Sequence, residues 1–194
     1  TPISTHYRGI DLMEIPPNGQ GLTALVLLNI LETFDLAKLD ALGPDRFHIM
    51  LEAARMAFAV RDTHIADPAH MRIAVSALND KAFARKLAAK IDLTRRADLP
   101  KAPTPGTDTV YLTVVDRDRM AVSLINSLFS GFGSGICSEK SGVVFNNRGS
   151  GFVIEPGHPN TIGPDKRPMH TIIPAMAMRN GRCEMSCGVM GAHY

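Results

Sequence analysis

The chain has 194 residues, 45% of them hydrophobic and 21% charged, with a formal net charge of +2. It can build a sizeable core and does not read as disordered. No run of like charges exceeds the pair Arg95-Arg96 and there is no Trp, so a surface that tracks phosphates or stacks bases is excluded and no nucleic acid is expected as a partner.

No stretch of about 18 apolar residues occurs, so no membrane span is expected in this segment. The longest candidate, "LTALVLLNIL" (22–31), is too short and is interrupted by Thr23 and Asn29. The chain opens on Thr1 and stops at "GVMGAHY", which reads as an internal piece of a longer precursor.

Helices dominate up to about residue 93. "GLTALVLLNILETFDLAKL" (21–39) is apolar on nearly every side, the pattern of a buried helix. "PDRFHIMLEAARMAFAVRDTHIA" (44–66) is amphipathic instead, with Phe47, Met50, Leu51, Ala54, Ala57 and Phe58 at steps of three and four. Pro44 suits a first helical turn, and Asn79 is placed to cap a third helix over 80–91. Then "DLTRRADLPKAPTPG" (92–106) carries Pro100, Pro103 and Pro105, which lack amide donors and stiffen an extended linker.

Beyond the linker the hydrophobic period becomes two. Residues 109–115 and 120–127 read as strands around "DRDR", and 171–178 and 183–189 as another pair around Asn180-Gly181, a strong hairpin signal. Cys183 and Cys187, four apart in a strand, are expected to share a face as structural thiols. Helices followed by hairpins suggest an α+β domain with helices layered on antiparallel sheet.

Candidate chemistry narrows quickly. None of the seven histidines has the close His or Cys partner usual in zinc sites, so no metal is expected. "GFGSG" (131–135) lacks the Lys and following helix of a phosphate loop, and it is not set between strand and helix as a nucleophile elbow would be. A threonine at a chain terminus has another route, because its own α-amino group can act as base. That amine titrates at about 7.7–8.0 in model compounds. A linker, then Gly106, Asp108 and Thr109 at the head of a β-branched strand, is a layout such chemistry could use. On these features alone, a plain linker entering a plain hairpin fits better.

The motifs taken together resemble those of the γ-glutamyltranspeptidase (glutathione hydrolase) family along the whole chain. "TPISTHYRG" (1–9), "IPPNGQGLTALVLLNILE" (15–32) and "DTHIADP" (62–68) are similar to late large-subunit segments of that family. "TVYLTVVDRDRMAVSLINSLFSGFGSGI" (109–136), "KRPMHTIIPAMAMRNG" (166–181) and "GVMGA" (188–192) are similar to its small subunit. The resemblance implies an N-terminal-nucleophile hydrolase fold, a four-layer αββα sandwich present here in part. It also implies a precursor that cuts itself between Asp108 and Thr109. Residues 1–108 would be the end of the large subunit and 109–194 the start of the small one, together one incomplete domain. "STH" (4–6) looks like the family's Thr-Thr-His motif but lies among large-subunit segments, and is a decoy.

By the same resemblance Thr109 is the nucleophile, Ser127 its hydrogen-bond partner, and the amides of Gly191 and Ala192 the oxyanion hole. Asn146 and Asn147 match a small-subunit pair, and no cofactor is implied. The substrate would be a small γ-glutamyl or other acyl amide, with water or an amine as acceptor. The remaining parts of the two subunits would be the chain's own partners.

Thr109-Val110-Tyr111 departs from Thr-Thr-His, and the substrate-binding positions depart further. The family's Asn, Gln and Asp there are Phe129, Arg148 and Gly151, and its two serines are His170 and Thr171. Phe129 and Gly151 offer no side-chain acceptor to a glutamyl ammonium, and Arg148 would repel one. This places the chain nearest the divergent γ-glutamyltransferase-like branch. An acylase acting on non-glutamyl amides, similar to cephalosporin acylases, and a catalytically inert family member remain open as alternatives.

Overall fold

The structure is a computed structural model that describes residues 1–98 and 109–190. The chain opens with a hairpin, β1 (Ile3–Tyr7) and β2 (Ile10–Glu14), turning at Arg8 and Gly9, both at positive φ. The helices are α1 (Gly21–Leu31), α2 (Pro44–His64), the short α3 (Val75–Leu78) and α4 (Lys81–Ala88). Four further strands follow: β3 (Thr109–Val115), β4 (Ala121–Ser127), β5 (Ile173–Arg179) and β6 (Arg182–Val189).

A four-stranded antiparallel sheet has the order β1-β2-β5-β6, and β3 and β4 form a separate two-stranded sheet. The central pairing joins β2 to β5, with Glu14 opposite Ala175. Strands from both sides of the proline-rich linker therefore share one sheet.

Helix α1 lies on one face of that sheet against β1, β2 and β5, with α2 and α4 packed on α1. Leu22, Leu25, Val26 and Ile30 are fully buried, each contributing about 1.5–3 kcal/mol of transfer free energy. This matches a helix expected to be apolar all round, although it ends at Leu31 and only a 3-10 turn at Leu36–Lys38 continues it.

The β3–β4 pair packs on the opposite face, against β5 and β6. Tyr111 lies on Gly188, where an added Cβ would fall 2.6 Å from the ring. Thr113 Oγ1 donates to Ser186 Oγ (2.8 Å), and Ser123 Oγ donates to the Cys187 carbonyl (2.9 Å). Helices, four-stranded sheet and β3–β4 ribbon supply three of the four expected layers. The ribbon's outer face, with Val110, Leu112, Val114, Val122 and Leu124, is apolar and exposed.

Some expectations need correction. The buried stripe of α2 is Ile49, Ala53, Met56, Ala57 and Val60, while Phe47, Met50 and Leu51 are exposed. Glu52 and Arg61 lie on the buried side because each has partners there: Arg55 and the Ala97 amide for Glu52, Gln20 and Asp62 for Arg61. The cap of α4 is Asp80, whose carboxylate accepts from the Ala82 and Phe83 amides. Asn79 instead donates to the Ser4 carbonyl.

A bulge in β6 sets Cys183 opposite Met178 and Cys187 opposite Ala175. Those two β5 positions face opposite sides of the sheet, so the cysteines do not share a face. The Asn180-Gly181 turn forms as expected, with both residues at positive φ.

Candidate active site

Thr109 opens β3 directly opposite Ser127, the last residue of β4. Its Oγ1 donates to Ser127 Oγ at 2.9 Å, and the Phe129 amide donates to that same oxygen at 2.9 Å. A hydroxyl that gives its proton to a neighbour keeps its lone pairs free to attack. Two residues along, the Tyr111 amide donates to Met190 Sδ at 3.1 Å. The head of β3 therefore sits beside the residue that precedes Gly191. Asp108, Gly191 and Ala192 lie outside the described residues.

The decoy "STH" is far from this chemistry in role. Thr5 is buried on β1, and its hydroxyl donates to Asn29 of α1. Thr113 shares Thr109's face but is tied to Ser186.

Past Ser127 the chain turns sharply, and Phe129 holds φ +82, a conformation uncommon for a bulky side chain. Asn147 clamps the turn: its Oδ1 accepts from the Ser130 amide and its Nδ2 donates to the Ser130 carbonyl. Asn146 Oδ1 accepts the Arg148 amide, and a 3-10 turn runs over Arg148–Gly151.

The clamp brings the Arg148 guanidinium over the Phe129 ring, 4.9 Å from its centroid. Arg148 is 7% exposed, and its Nη1 donates to Thr171 Oγ1 at 3.0 Å. Gly151 lies beside the tip of the Phe129 ring. Burial and the nearby Arg148 charge push the His170 pKa down to about 4, so its imidazole is neutral near pH 7. Phe129, Arg148, Gly151, His170 and Thr171 thus form one group, joined to Thr109 through Ser127.

Several supporting residues escape a reading of the sequence. Gln20, fully buried, donates its side-chain amide to the Thr171 carbonyl and its backbone amide to the His170 carbonyl, and accepts from Arg61. Asn160 donates to the Gly151 carbonyl and accepts from the Met169 amide. Asp67, 6% exposed, receives the backbone amide and guanidinium of Arg167. Gln20 and Asp67 lie within the segments 15–32 and 62–68 that carry the resemblance, while nothing local marks Asn160. Among the described residues, no group of three His, Cys, Asp or Glu side chains is placed to hold a metal ion. No helix among them is long and apolar enough to cross a membrane.

The layered α+β fold, with a threonine at the head of a strand and a hydroxyl partner opposite, is the fold class of the N-terminal-nucleophile hydrolases. A structure of a cephalosporin acylase from Bacillus halodurans superposes with a TM-score of 0.86 at 38% identity, covering 99% of this chain and 34% of that one. The glutathione hydrolase-like YwrD proenzyme of Bacillus subtilis is 38% identical over 191 residues, 98% of this chain and 36% of that protein. The oxamate amidohydrolase proenzyme of Klebsiella pneumoniae is 36% identical over 190 residues, 98% of this chain and 35% of that protein. The family model for γ-glutamyltranspeptidase matches residues 1–194. The chain belongs to the γ-glutamyltranspeptidase family, and it spans about a third of the length of the curated relatives it matches.

Proposed function

We propose that the full-length protein is a self-cleaving amidohydrolase or acyltransferase in which Thr109 is the nucleophile, acting on amides of γ-glutamyl type. The observation that carries this reading is the 2.9 Å hydrogen bond from Thr109 Oγ1 to Ser127 Oγ at the head of β3. In maturation the Thr109 oxygen attacks the Asp108 carbonyl carbon and the peptide C–N bond breaks. Water then cleaves the resulting ester, leaving residues up to 108 and from 109 onward as separate chains. The freed α-amine titrates near neutrality, so it can take up the hydroxyl proton and later return it.

In turnover the Thr109 oxygen attacks the substrate amide carbon, and the amine leaves with a proton delivered by the α-amine. Water or a second amine then attacks the Thr109 ester and restores the hydroxyl. The amides of Gly191 and Ala192 are assigned to the developing oxyanion, an interaction worth about 3–4 kcal/mol per donor in other acyl-transfer enzymes. Phe129, Arg148, Gly151, His170 and Thr171 are assigned to the acyl group. The remaining parts of the large and small subunits complete the site.

A second reading keeps the mechanism and changes the acyl group to a non-glutamyl one. It is favoured by Arg148, a cation at a position where a glutamyl ammonium would need acceptors. The shared mechanism is tested by treating the mature full-length protein with a threonine-directed electrophile. Label is expected on the peptide beginning at Thr109 and absent from Thr109→Ala; label elsewhere, with activity surviving in Thr109→Ala, contradicts it.

A further inference from the structure

Gln20 stands at the N-cap of α1, where Ser, Thr, Asp and Asn are usual because their short side chains bond the first helical amides. Gln20 makes no such bond. Its side chain, fully buried, is used outside the helix. Nε2 donates to the Thr171 carbonyl at 2.5 Å, and Oε1 accepts from Arg61 Nη1 at 3.1 Å. Arg61, 1% exposed, is itself held by Asp62 Oδ1 and lies over the Phe58 ring.

The backbone around Gln20 serves the same segment. Residues 18–20 run parallel to 168–171, with Gly19 bridged to His170. Asn18 Nδ2 donates to the Pro168 carbonyl at 2.7 Å, the His170 amide to the Asn18 carbonyl at 2.8 Å, and the Gln20 amide to the His170 carbonyl at 2.8 Å. These bonds fix the chain as far as His170. The Gln20 side chain extends the hold by one residue, to Thr171, just before β5 begins at Ile173. Thr171 Oγ1 in turn accepts from Arg148, whose guanidinium lies on Phe129, and the Phe129 amide donates to Ser127. A buried amide bonded at both ends keeps its partners in one place, because moving either would leave a buried polar group unpaired.

We infer that Gln20 is a positioning residue that holds Thr171, and through it the Arg148 guanidinium, where the acyl group of the substrate binds. It acts across the bond that maturation cuts, from the 1–108 side onto the 109–194 side. Its side-chain hydrogen bonds reach neither Thr109 nor Ser127, so it shapes binding and leaves the bond-making step alone. This rests on the Thr109 reading above and on the assignment of residues 170–171 to the acyl group.

Two variants of the full-length protein separate the bonds. Q20M removes both side-chain hydrogen bonds at nearly the same length, whereas Q20E keeps an acceptor for Arg61 and loses the donor to Thr171. Precursor cleavage is timed first. Then kcat and KM are measured with whichever p-nitroanilide the wild type hydrolyses fastest among γ-glutamyl, glutaryl and butanoyl. Both variants are expected to raise KM at least about fivefold, with kcat and the rate of self-cleavage within about twofold of wild type, the pattern of lost binding. A merely structural role would slow self-cleavage and lower the melting temperature while leaving KM unchanged, and that result overturns the inference. So does a fall in kcat larger than the rise in KM, or a wild-type KM in Q20E, which would assign the effect to the Arg61 bond. A wild type that cuts itself before Thr109 yet hydrolyses none of the three compounds also overturns it and leaves the nucleophile intact. A wild type that neither cuts itself nor hydrolyses any of them overturns both readings. If Q20M does not fold, Q20E decides.

Discussion

Thr109 and Ser127 lie 18 positions apart and are opposite each other only because the hairpin turn at 116–119 sets the register between them. Strand periodicity marked the two strands, and the family resemblance alone suggested that these two residues are partners. Glu14 was not readable: nothing in the sequence marks it as buried, yet it is 3% exposed and its carboxyl presses on Gly21 at the first turn of α1. Helix N–H groups there favour a negative charge, but burial outweighs them and pushes the pKa from 4.5 up to about 8. The fold therefore favours the protonated form, and its contribution is full below about pH 4.5 and lost as pH rises through about 8. Glu14→Gln should flatten the fall in melting temperature between those limits and raise the melting temperature at pH 8.5. Parallel melting curves check this; identical pH slopes in the two proteins would contradict it.

At the scale of elements, the contact between ribbon and sheet depends on a missing side chain. The Tyr111 ring occupies the space over Gly188, where a Cβ would also approach the Ile173 carbonyl at 3.0 Å. Gly188→Val should cost about 1–3 kcal/mol as an overpacked contact and displace the head of β3 together with Thr109. Denaturant titration measures the first effect and the rate of precursor cleavage the second. Unchanged stability with unchanged cleavage would show that this contact does not position the nucleophile.

The helices and both C-terminal hairpins were legible because apolar spacing and Asn180-Gly181 are local signals. The β1–β2 hairpin was not read, although "ISTHY" and "IDLME" flank Arg8-Gly9, because its length is short and its residues are mixed in character. The buried face of α2 was misread for a related reason. Glu52 and Arg61 look like surface residues until their distant partners, Ala97 and Gln20, are known. Gln20 and Asn160 were invisible in the same way, since a buried amide is chosen by carbonyls and amides far along the chain.

For the whole molecule, the consequence concerns what a cut before Thr109 can release. Strand β2 pairs with β5, Asp67 holds Arg167 across 100 positions, and Gln20 holds the backbone of residues 170–171. Burial and backbone hydrogen bonding, which salt does not screen, dominate this interface. The two products should therefore remain associated through gel filtration in 1 M salt and separate only in denaturant. Separation under native conditions would mean that the pairing of β2 with β5 does not hold the mature protein.

The most direct test of the central claim is intact-mass and N-terminal analysis of the full-length protein after folding at neutral pH. Two chains are expected, the second beginning at Thr109, and a single uncut chain for Thr109→Ala. A wild-type precursor that is folded yet whole, or cut at another bond, would contradict it.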